Sequence, residues 1–209
     1  MIYILSDKKV NGATNLPTLQ INFIKQNINF SFYDALIFTS KNALYALNDL
    51  YDDSWKTIPA YAIAPKTASI VEDFGGDLKF TGVTNHGDLF AKELIPLLQD
   101  KKVLYLRGSK VVSSLVETLN NNGIVCDETI VYESTCKLYK NKPLLKKYSI
   151  FIFSSPSTIE CFLKNFKWDD SFKAISIGKT TAKYFPKYIK YVISDTTSLE
   201  SCVKKALEF

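Results

Sequence analysis

Short apolar runs alternate with segments of helical periodicity along most of the chain. The runs are rich in β-branched and aromatic residues, which is typical of strands that are covered on both faces in a parallel sheet. We predict strands at Ile2–Leu5, Ala35–Phe38, Ala60–Ala64, Leu78–Phe80, Lys102–Arg107, Ser149–Phe153, Ala174–Ile177 and Tyr191–Ile193.

The segments between these strands predict helices, because their apolar residues recur at three- and four-residue spacing. We place the helices at Asn42–Leu50, Lys66–Phe74, Gly87–Leu98, Val111–Asn121, Ser157–Asn165, Thr180–Phe185 and Ser198–Leu207. Regular alternation of strands and helices favours βαβ units and doubly wound α/β sheets.

Two segments interrupt the alternation, Leu19–Ile24 and Glu128–Cys136, which read as extended pieces without an adjacent helix. We interpret them as paired crossover strands, residues 20–25 and 131–136. The predicted fold is therefore two α/β lobes with parallel sheets flanked by helices, joined by a two-stranded β-ladder. Lobe 1 is discontinuous, residues 1–19 plus 137–209, and lobe 2 is inserted as residues 26–130.

A weak internal repeat indicates that the two lobes are similar. IFTSKNALYAL, residues 37–47, aligns with IFSSPSTIECF, residues 152–162, and IAPKTASIV, residues 63–71, aligns with IGKTTAKYF, residues 177–185. The two matches keep register with each other to within one residue. Duplication of a βαβ unit is the simplest explanation, and coincidence within α/β composition is the alternative.

Composition indicates an ordinary globular protein of two domains. Of its 209 residues, 46% are hydrophobic and 22% are charged, and a chain of this length can form two domains of ordinary size. The apolar stretch near the N-terminus covers only Ile2–Leu5, which is too short for a signal peptide or a membrane span. The sequence therefore predicts a cytoplasmic protein that does not bind membranes.

Metal and cofactor chemistry have little support in the sequence. The cysteines, Cys126, Cys136, Cys161 and Cys202, form no CxxC pair and are expected to be small buried hydrophobic residues in a reducing compartment. The single histidine, His86, cannot by itself form a zinc site or a histidine-based triad. We predict no metal and no cofactor.

Charge favours a small anionic ligand. The formal net charge is +5, without the clustered basic stripe that nucleic-acid binding requires. Gly178-Lys179-Thr180 resembles part of a P-loop, but Lys173 stands where that motif needs its first glycine, and no GxGxxG is present. Nucleic-acid binding would depend on the charge alone, so we predict no nucleic-acid partner.

Hydroxyl-rich turns follow predicted strands in both copies of the repeat. The first copy has Thr39, Ser40 and Asn42, and the second has Ser154, Ser155 and Ser157. Such residues are preferred helix N-caps, and the free N–H groups at a helix N-terminus also attract anions. Both interpretations, capping alone and an anion site at the carboxyl ends of the strands, remain open.

Tyr132 lies inside the second crossover segment. A tyrosine with an ordinary pKa near 10 is protonated at neutral pH and can act as a hydrogen-bond donor or general acid. The alternative is an amphipathic tyrosine that packs at a lobe boundary.

An ordered set of segments resembles the uroporphyrinogen-III synthase family. The matching pieces are DALIFTSKNAL at 34–44, AIAPKTA at 62–68, VLYLRG at 103–108, GIVCDETIVYES at 123–134, IFIFSSPSTIECF at 150–162 and AISIGKTTA at 174–182. The resemblance implies two α/β lobes with the active site in the cleft between them. It also implies a cofactor-free monomer whose substrate is hydroxymethylbilane, with at most a transient contact with the upstream bilane synthase.

The resemblance also implies roles for individual residues. Tyr132 matches the family's tyrosine that is proposed to help the substrate hydroxyl leave, which makes it the expected catalytic residue. The expected substrate-binding residues are Thr39, Ser40, Asn42, Thr67, Ser155, Ser157, Lys173 and Thr181. Arg107 matches a position that is often basic, and a structural role at the strand end is its alternative.

The sequence also departs from the family pattern. Ala64 stands where a glycine is common, and Ser6-Asp7-Lys8 follows the first strand where a basic residue is common. The first lobe is shortened, so its contribution to substrate binding is open. The alternative function is a binding or sensing module that clamps an anion without converting it.

Overall fold

The computed structural model describes residues 1–84 and 86–209. These residues divide into two compact units, which we call the terminal unit and the central unit. The terminal unit consists of Met1–Gln20 and Thr135–Phe209, and the central unit consists of Ile21–Ser134.

The strands are short except for one near the middle of the chain. They are β1 (Ile2–Ile4), β2 (Thr14–Asn15), β3 (Leu19–Phe23), β4 (Ala35–Phe38), β5 (Ala60–Ala62), β6 (Leu78–Thr81), β7 (Lys102–Gly108), β8 (Val125–Cys136), β9 (Ile150–Phe153), β10 (Lys173–Ser176) and β11 (Tyr191–Ile193).

The α-helices lie mostly between strands. They are α1 (Lys41–Leu50), α2 (Pro65–Asp73), α3 (Gly87–Leu94), α4 (Leu115–Asn121), α5 (Pro156–Asn165), α6 (Lys179–Ala182) and α7 (Leu199–Ala206). Within residues 1–84 and 86–209, no helix has the length and apolar character needed to cross a membrane.

The terminal unit is built on a five-stranded parallel sheet in the order β11-β10-β9-β1-β2. Both faces of this sheet are covered. Phe151 and Phe153 of β9 pack into a cluster of aromatic side chains on one face, whereas Ile150 and Ile152 pack with helix α7 on the other. Because successive side chains of a strand point to opposite faces, burial on both faces requires a continuous apolar run.

The central unit is built on a six-stranded sheet in the order β3-β8-β7-β4-β5-β6. The strands from β8 to β6 are parallel. The backbone N–H of Ile24 donates to the carbonyl of Val131 at 2.8 Å, and, among residues of the terminal unit, the N–H of Lys137 donates to the carbonyl of Thr18 at 2.9 Å. Residue numbers therefore rise on one segment as they fall on the other, which is the antiparallel arrangement of β3 and β8.

The predicted α/β class with two parallel, helix-flanked sheets is confirmed. Three predicted helices differ in length by several residues. The α-helix expected over Gly87–Leu98 ends at Leu94, and a 3₁₀ turn, Ile95–Leu97, follows it. The helix expected from Val111 begins at Leu115, because Ser114 is held before the first turn by Asp88, whose Oδ1 accepts from the Ser114 N–H at 2.7 Å. The helix expected to reach Phe185 ends at Ala182, and Pro186 disfavours helical geometry at the residue before it, Phe185.

The expectation for the cysteines is half right. Cys126 and Cys202 are free and buried, and burial raises the pKa of the Cys126 thiol to about 12. Cys136 and Cys161 instead form a disulfide, so the expectation that all the cysteines are free apolar residues is wrong for this pair. The two residues lie in β8 and α5, which adjoin only in the folded chain, so the sequence alone could not pair them.

Phe162 packs against several aromatic rings of the terminal unit, which leads to a stability prediction. Its ring centroid lies 4.8 Å from that of Phe151 and 5.2 Å from that of Phe166, and the side chain is fully buried. Phe162→Ala should lower the free energy of unfolding by about 3–5 kcal/mol, because it leaves a cavity in an apolar core.

Urea unfolding followed by circular dichroism measures this loss. Leu144→Ala is the control, since Leu144 belongs to the same unit and is 90% exposed, and it should change the unfolding free energy by less than about 0.5 kcal/mol. Equal losses in the two variants would contradict the packing assigned to Phe162.

Candidate functional site

Candidate residues of the central unit gather where neighbouring parallel strands end. Thr39 and Ser40 follow β4, Thr67 lies in the first turn after β5, and Gly108 ends β7. Tyr132 pairs with Gly108 across β7 and β8. Because the carboxyl ends of parallel strands lie at one edge of the sheet, this edge is where open α/β sheets bind ligands.

A cavity of about 230 Å³ opens at this edge. It brings together the predicted residues Thr39, Ser40 and Tyr132. The lining residues are Thr39, Ser40, Ile63, Gly87, Tyr105, Gly108, Lys110, Val111, Val112, Ser113 and Tyr132. The crossover tyrosine and the first hydroxyl turn are far apart along the chain, and the fold joins them in one cavity.

Tyr132 is placed by a one-residue shift in strand register. Arg107 pairs with Ile130, whereas Gly108 pairs with Tyr132, so Val131 has no partner on β7. Such a bulge redirects the side chains that follow it. Val131 and Tyr132 accordingly pack against the same core cluster, although consecutive residues of a regular strand would face opposite sides.

Gly108 provides the space for the Tyr132 ring. A Cβ atom at Gly108 would lie 2.7 Å from Cζ and 2.9 Å from the hydroxyl oxygen of Tyr132. These distances are shorter than any ordinary van der Waals contact. A side chain at Gly108 would therefore displace the Tyr132 ring from its position against the end of β7, and the positions of the two residues depend on each other.

Tyr105 is a cavity residue that sequence reasoning missed. Its hydroxyl lies 2.7 Å from Oγ1 of Thr39, and its side chain is only 1% exposed. Burial, the largest effect, raises the pKa of Tyr105, and the hydrogen bond with Thr39 acts against this rise. The available signal was a tyrosine inside the aliphatic strand VLYL, since a buried phenol needs a hydrogen-bond partner.

The loop between β7 and α4 forms one wall of the cavity. The sequence did not predict this wall, because the helix was predicted to begin at Val111 and begins at Leu115. The loop is held at both ends. The Ser109 N–H donates to the carbonyl of Tyr132 at 2.9 Å, and Ser114 donates twice to Asp88. Between these anchors, Lys110 and the almost fully exposed Val112 border the cavity.

Helix capping accounts for part of the first hydroxyl turn. The Ser40 side chain accepts from the Asn42 N–H at 3.2 Å and caps α1. Asn42 is half-buried and lies outside the cavity lining. Thr67 is buried in the first turn of α2, whose N-cap, Ala64, has no side-chain oxygen. Ser40 thus caps α1 and also lines the cavity, so capping does not exclude ligand binding by this turn.

Arg107 has a structural partner. Its guanidinium contacts both carboxylate oxygens of Glu128, with Nε–Oε2 at 2.8 Å and Nη2–Oε1 at 2.7 Å, and Nη1 donates to the carbonyl of Gly108. The Glu128 carboxylate raises the pKa of Arg107. A bidentate pair of this kind fixes strand ends, which favours the structural alternative for Arg107.

In the terminal unit, the second hydroxyl turn also lies at the carboxyl ends of adjacent strands. Ser155 follows β9 and forms a capping box with Thr158. Ser157 is half-buried in the first turn of the same helix. Thr181 is buried in α6, which follows β10, the strand paired with β9. These three predicted residues therefore lie at one edge of their sheet.

Lys173 lies elsewhere. It opens β10 and pairs with Ile150, so it is at the amino ends of the strands, opposite Ser155 and Thr181. Its ammonium lies 4.2 Å from the ring centroid of Phe209, beside an aromatic-lined pocket of about 380 Å³. The predicted strand Ala174–Ile177 already puts Lys173 just before the amino end of its strand, and only the resemblance named it as a binding residue.

No group of three or more His, Cys, Asp or Glu side chains that could hold a metal ion occurs in the part of the chain that the structure describes. The cavity around Tyr132 is instead lined by hydroxyls, one lysine and apolar side chains. Such a surface can hold an anionic group by hydrogen bonds and donate a proton from a phenol.

Comparison with known proteins identifies the family. Residues 11–204 match the family described as Uroporphyrinogen-III synthase HemD. The structure resembles the crystal structure of uroporphyrinogen-III synthetase from Helicobacter pylori 26695, with a TM-score of 0.80, 32% sequence identity and coverage of 99% of this chain and 98% of that one. The chain belongs to the uroporphyrinogen-III synthase family.

A second structure supports the fold alone. A mutant uroporphyrinogen III synthase from the extremely thermophilic bacterium Thermus thermophilus is 13% identical, with a TM-score of 0.50 and coverage of 99% of this chain and 96% of that one. A search of curated proteins found no significant match. Membership of the uroporphyrinogen-III synthase family makes the protein a hydro-lyase of tetrapyrrole biosynthesis.

Gly108→Ala tests the placement of Tyr132. The added methyl group should displace the Tyr132 ring and lower the rate of uroporphyrinogen III formation by about tenfold or more, because small misplacements of an active-site group are costly. Product formation is measured by oxidation and separation of the porphyrin isomers, and circular dichroism checks that the fold is retained.

The double variant Gly108→Ala/Tyr132→Phe is the control for this mechanism. If the methyl group acts through Tyr132, it should lower the rate little beyond Tyr132→Phe alone. Losses that multiply in the double variant would show that Gly108 acts independently of Tyr132.

Proposed function

We propose that this protein cyclises hydroxymethylbilane to uroporphyrinogen III, with inversion of ring D and release of water. The observation that carries the proposal is the cavity in which Tyr132 meets Thr39 and Ser40. It offers a phenol for the departing hydroxyl beside hydroxyl groups that suit a carboxylate of the linear tetrapyrrole, in a chain that belongs to the uroporphyrinogen-III synthase family.

The proposed chemistry begins with loss of the terminal hydroxyl of the bilane, which leaves an electrophilic azafulvene. A substituted carbon of the last pyrrole attacks it and gives a spiro intermediate, and fragmentation and reclosure then invert ring D. The pyrrole nitrogens supply the electrons for these steps. The protein therefore has to position the chain and assist the departing hydroxyl, and needs no nucleophile of its own.

In this scheme, the Tyr132 hydroxyl donates to the hydroxyl that leaves. A full proton transfer would produce water directly and make Tyr132 a general acid. A hydrogen bond alone would orient the leaving group. Both forms require the phenol to reach into the cavity, and the space at Gly108 and the bulge at Val131 support that placement.

The eight carboxylates of the bilane need donors at several points. We propose that Thr39, Ser40, Asn42 and Thr67 bind carboxylates in the central unit, together with the ammonium of Lys110, which borders the cavity. In the terminal unit we propose Ser155, Ser157 and Thr181. Lys173 is left out of this set, because it lies at the opposite edge of its sheet.

The first test is a coupled assay with freshly made hydroxymethylbilane, supplied by its upstream synthase. The wild-type protein should give predominantly isomer III after oxidation and separation of the porphyrins. Without catalysis, the bilane closes without inversion. A folded protein that yields only isomer I would contradict the proposed function and favour a binding or sensing module.

Tyr132→Phe tests the role of the phenol. Loss of the donor should lower kcat by about a hundredfold or more, the usual contribution of a positioned acid. Tyr45→Phe is the matched control, because Tyr45 lies in α1, packs its ring on Phe74 and does not border the cavity. Unchanged activity in Tyr132→Phe would remove Tyr132 from the mechanism.

A further inference from the structure

The hydroxyl of Tyr105 has no role in the proposed chemistry, yet it reaches the cavity edge from a buried side chain. Tyr105 lies in the middle of β7, where it pairs with Ile37 of β4, and its ring packs in the core on that face of the sheet. The hydroxyl ends 2.7 Å from Oγ1 of Thr39. A core tyrosine thus forms a hydrogen bond with a proposed ligand-binding group.

The number of hydrogens in this pair limits what it can offer to a ligand. A phenol and a threonine hydroxyl each carry one hydrogen, and the bond between them uses one of the two. If Tyr105 donates, the Thr39 O–H remains free for a ligand in the cavity. Burial raises the pKa of Tyr105, so at neutral pH the phenol keeps the hydrogen it would donate.

We propose that Tyr105 is a positioning residue, whose hydroxyl donates to Oγ1 of Thr39 and turns the Thr39 O–H toward a carboxylate of the bound bilane. This inference rests on the proposed function. Without Tyr105, the Thr39 hydroxyl can rotate and use its hydrogen elsewhere, which lowers the share of protein that is ready to bind. Tyr105 itself need not touch the substrate.

Tyr61 is a second buried tyrosine of this sheet, and it does not line the cavity. It pairs with Ile37 from the other side, in β5, and belongs to the same core cluster as Tyr105. Its hydroxyl lies 3.4 Å from Nζ of Lys101, the residue just before β7. The two tyrosines flank one residue at one level of the sheet, and of the two only the Tyr105 hydroxyl extends to the carboxyl ends of the strands.

The experiment compares Tyr105→Phe, Thr39→Val and the double variant by steady-state kinetics with hydroxymethylbilane. Both substitutions keep the shape of the side chain and remove its hydroxyl. Each single variant should raise KM by about five- to tenfold, the effect of one hydrogen bond, with kcat changed less than about twofold, since the Thr39 bond forms with substrate and transition state alike. The double variant should be no worse than Thr39→Val.

Tyr61→Phe is the control, and it should leave KM and kcat at the wild-type values. Thermal unfolding of every variant separates stability from binding, because a purely structural role for Tyr105 would lower the melting temperature without raising KM. That result would overturn the inference, and so would single-variant effects that multiply in the double variant. Wild-type protein that forms no isomer III would overturn the proposed function, and a wild-type KM in Tyr105→Phe would overturn the positioning role alone.

Discussion

The candidate site depends on one residue of β8, Val131, that has no partner on β7. Arg107 pairs with Ile130, and because Val131 has no partner on β7, the next pair along the two strands is Gly108 with Tyr132. The phenol then lies against Gly108, where a side chain would displace it. Regular pairing would carry the tyrosine to the other face of the sheet, where it could not border the cavity.

The same strand end fixes the rest of the cavity. The carbonyl of Tyr132 accepts from the Ser109 N–H, so the residue after the bulge also anchors the loop that forms one wall. At the other end of that loop, Ser114 is bound to Asp88 of α3. A surface loop tied at both ends loses fewer conformations when a ligand binds, which suits a reaction whose outcome is decided by geometry.

The sequence predicted the fold better than the site, for a physical reason. Apolar runs such as Ala35–Phe38 are recognisable because burial on both faces leaves no place for polar residues, and the structure has this strand with the same bounds. The start of α4 was wrong by several residues, because Val111 and Val112 continue an apolar periodicity although they lie in an exposed loop. Local pattern cannot show that Ser114 is held by Asp88, a contact between distant residues.

The site residues were predicted unevenly for a related reason. Thr39, Ser40 and Tyr132 were named from turn chemistry and resemblance, and the fold brings them to one cavity. Lys173 was named from the resemblance alone, and it lies at the opposite edge of its sheet, because it begins β10 and does not follow that strand.

Tyr105 shows the opposite case. A tyrosine inside the aliphatic strand VLYL indicates a buried phenol, but the local sequence does not show that its partner is Thr39, which follows the neighbouring strand. Resemblance and turn chemistry identify groups that face a ligand. Residues that hold those groups in place are recognised only from distances. Tyr105, the residue proposed to hold Thr39, lies in a regularly paired part of β7, whose rigidity preserves the geometry that an inversion of one ring requires.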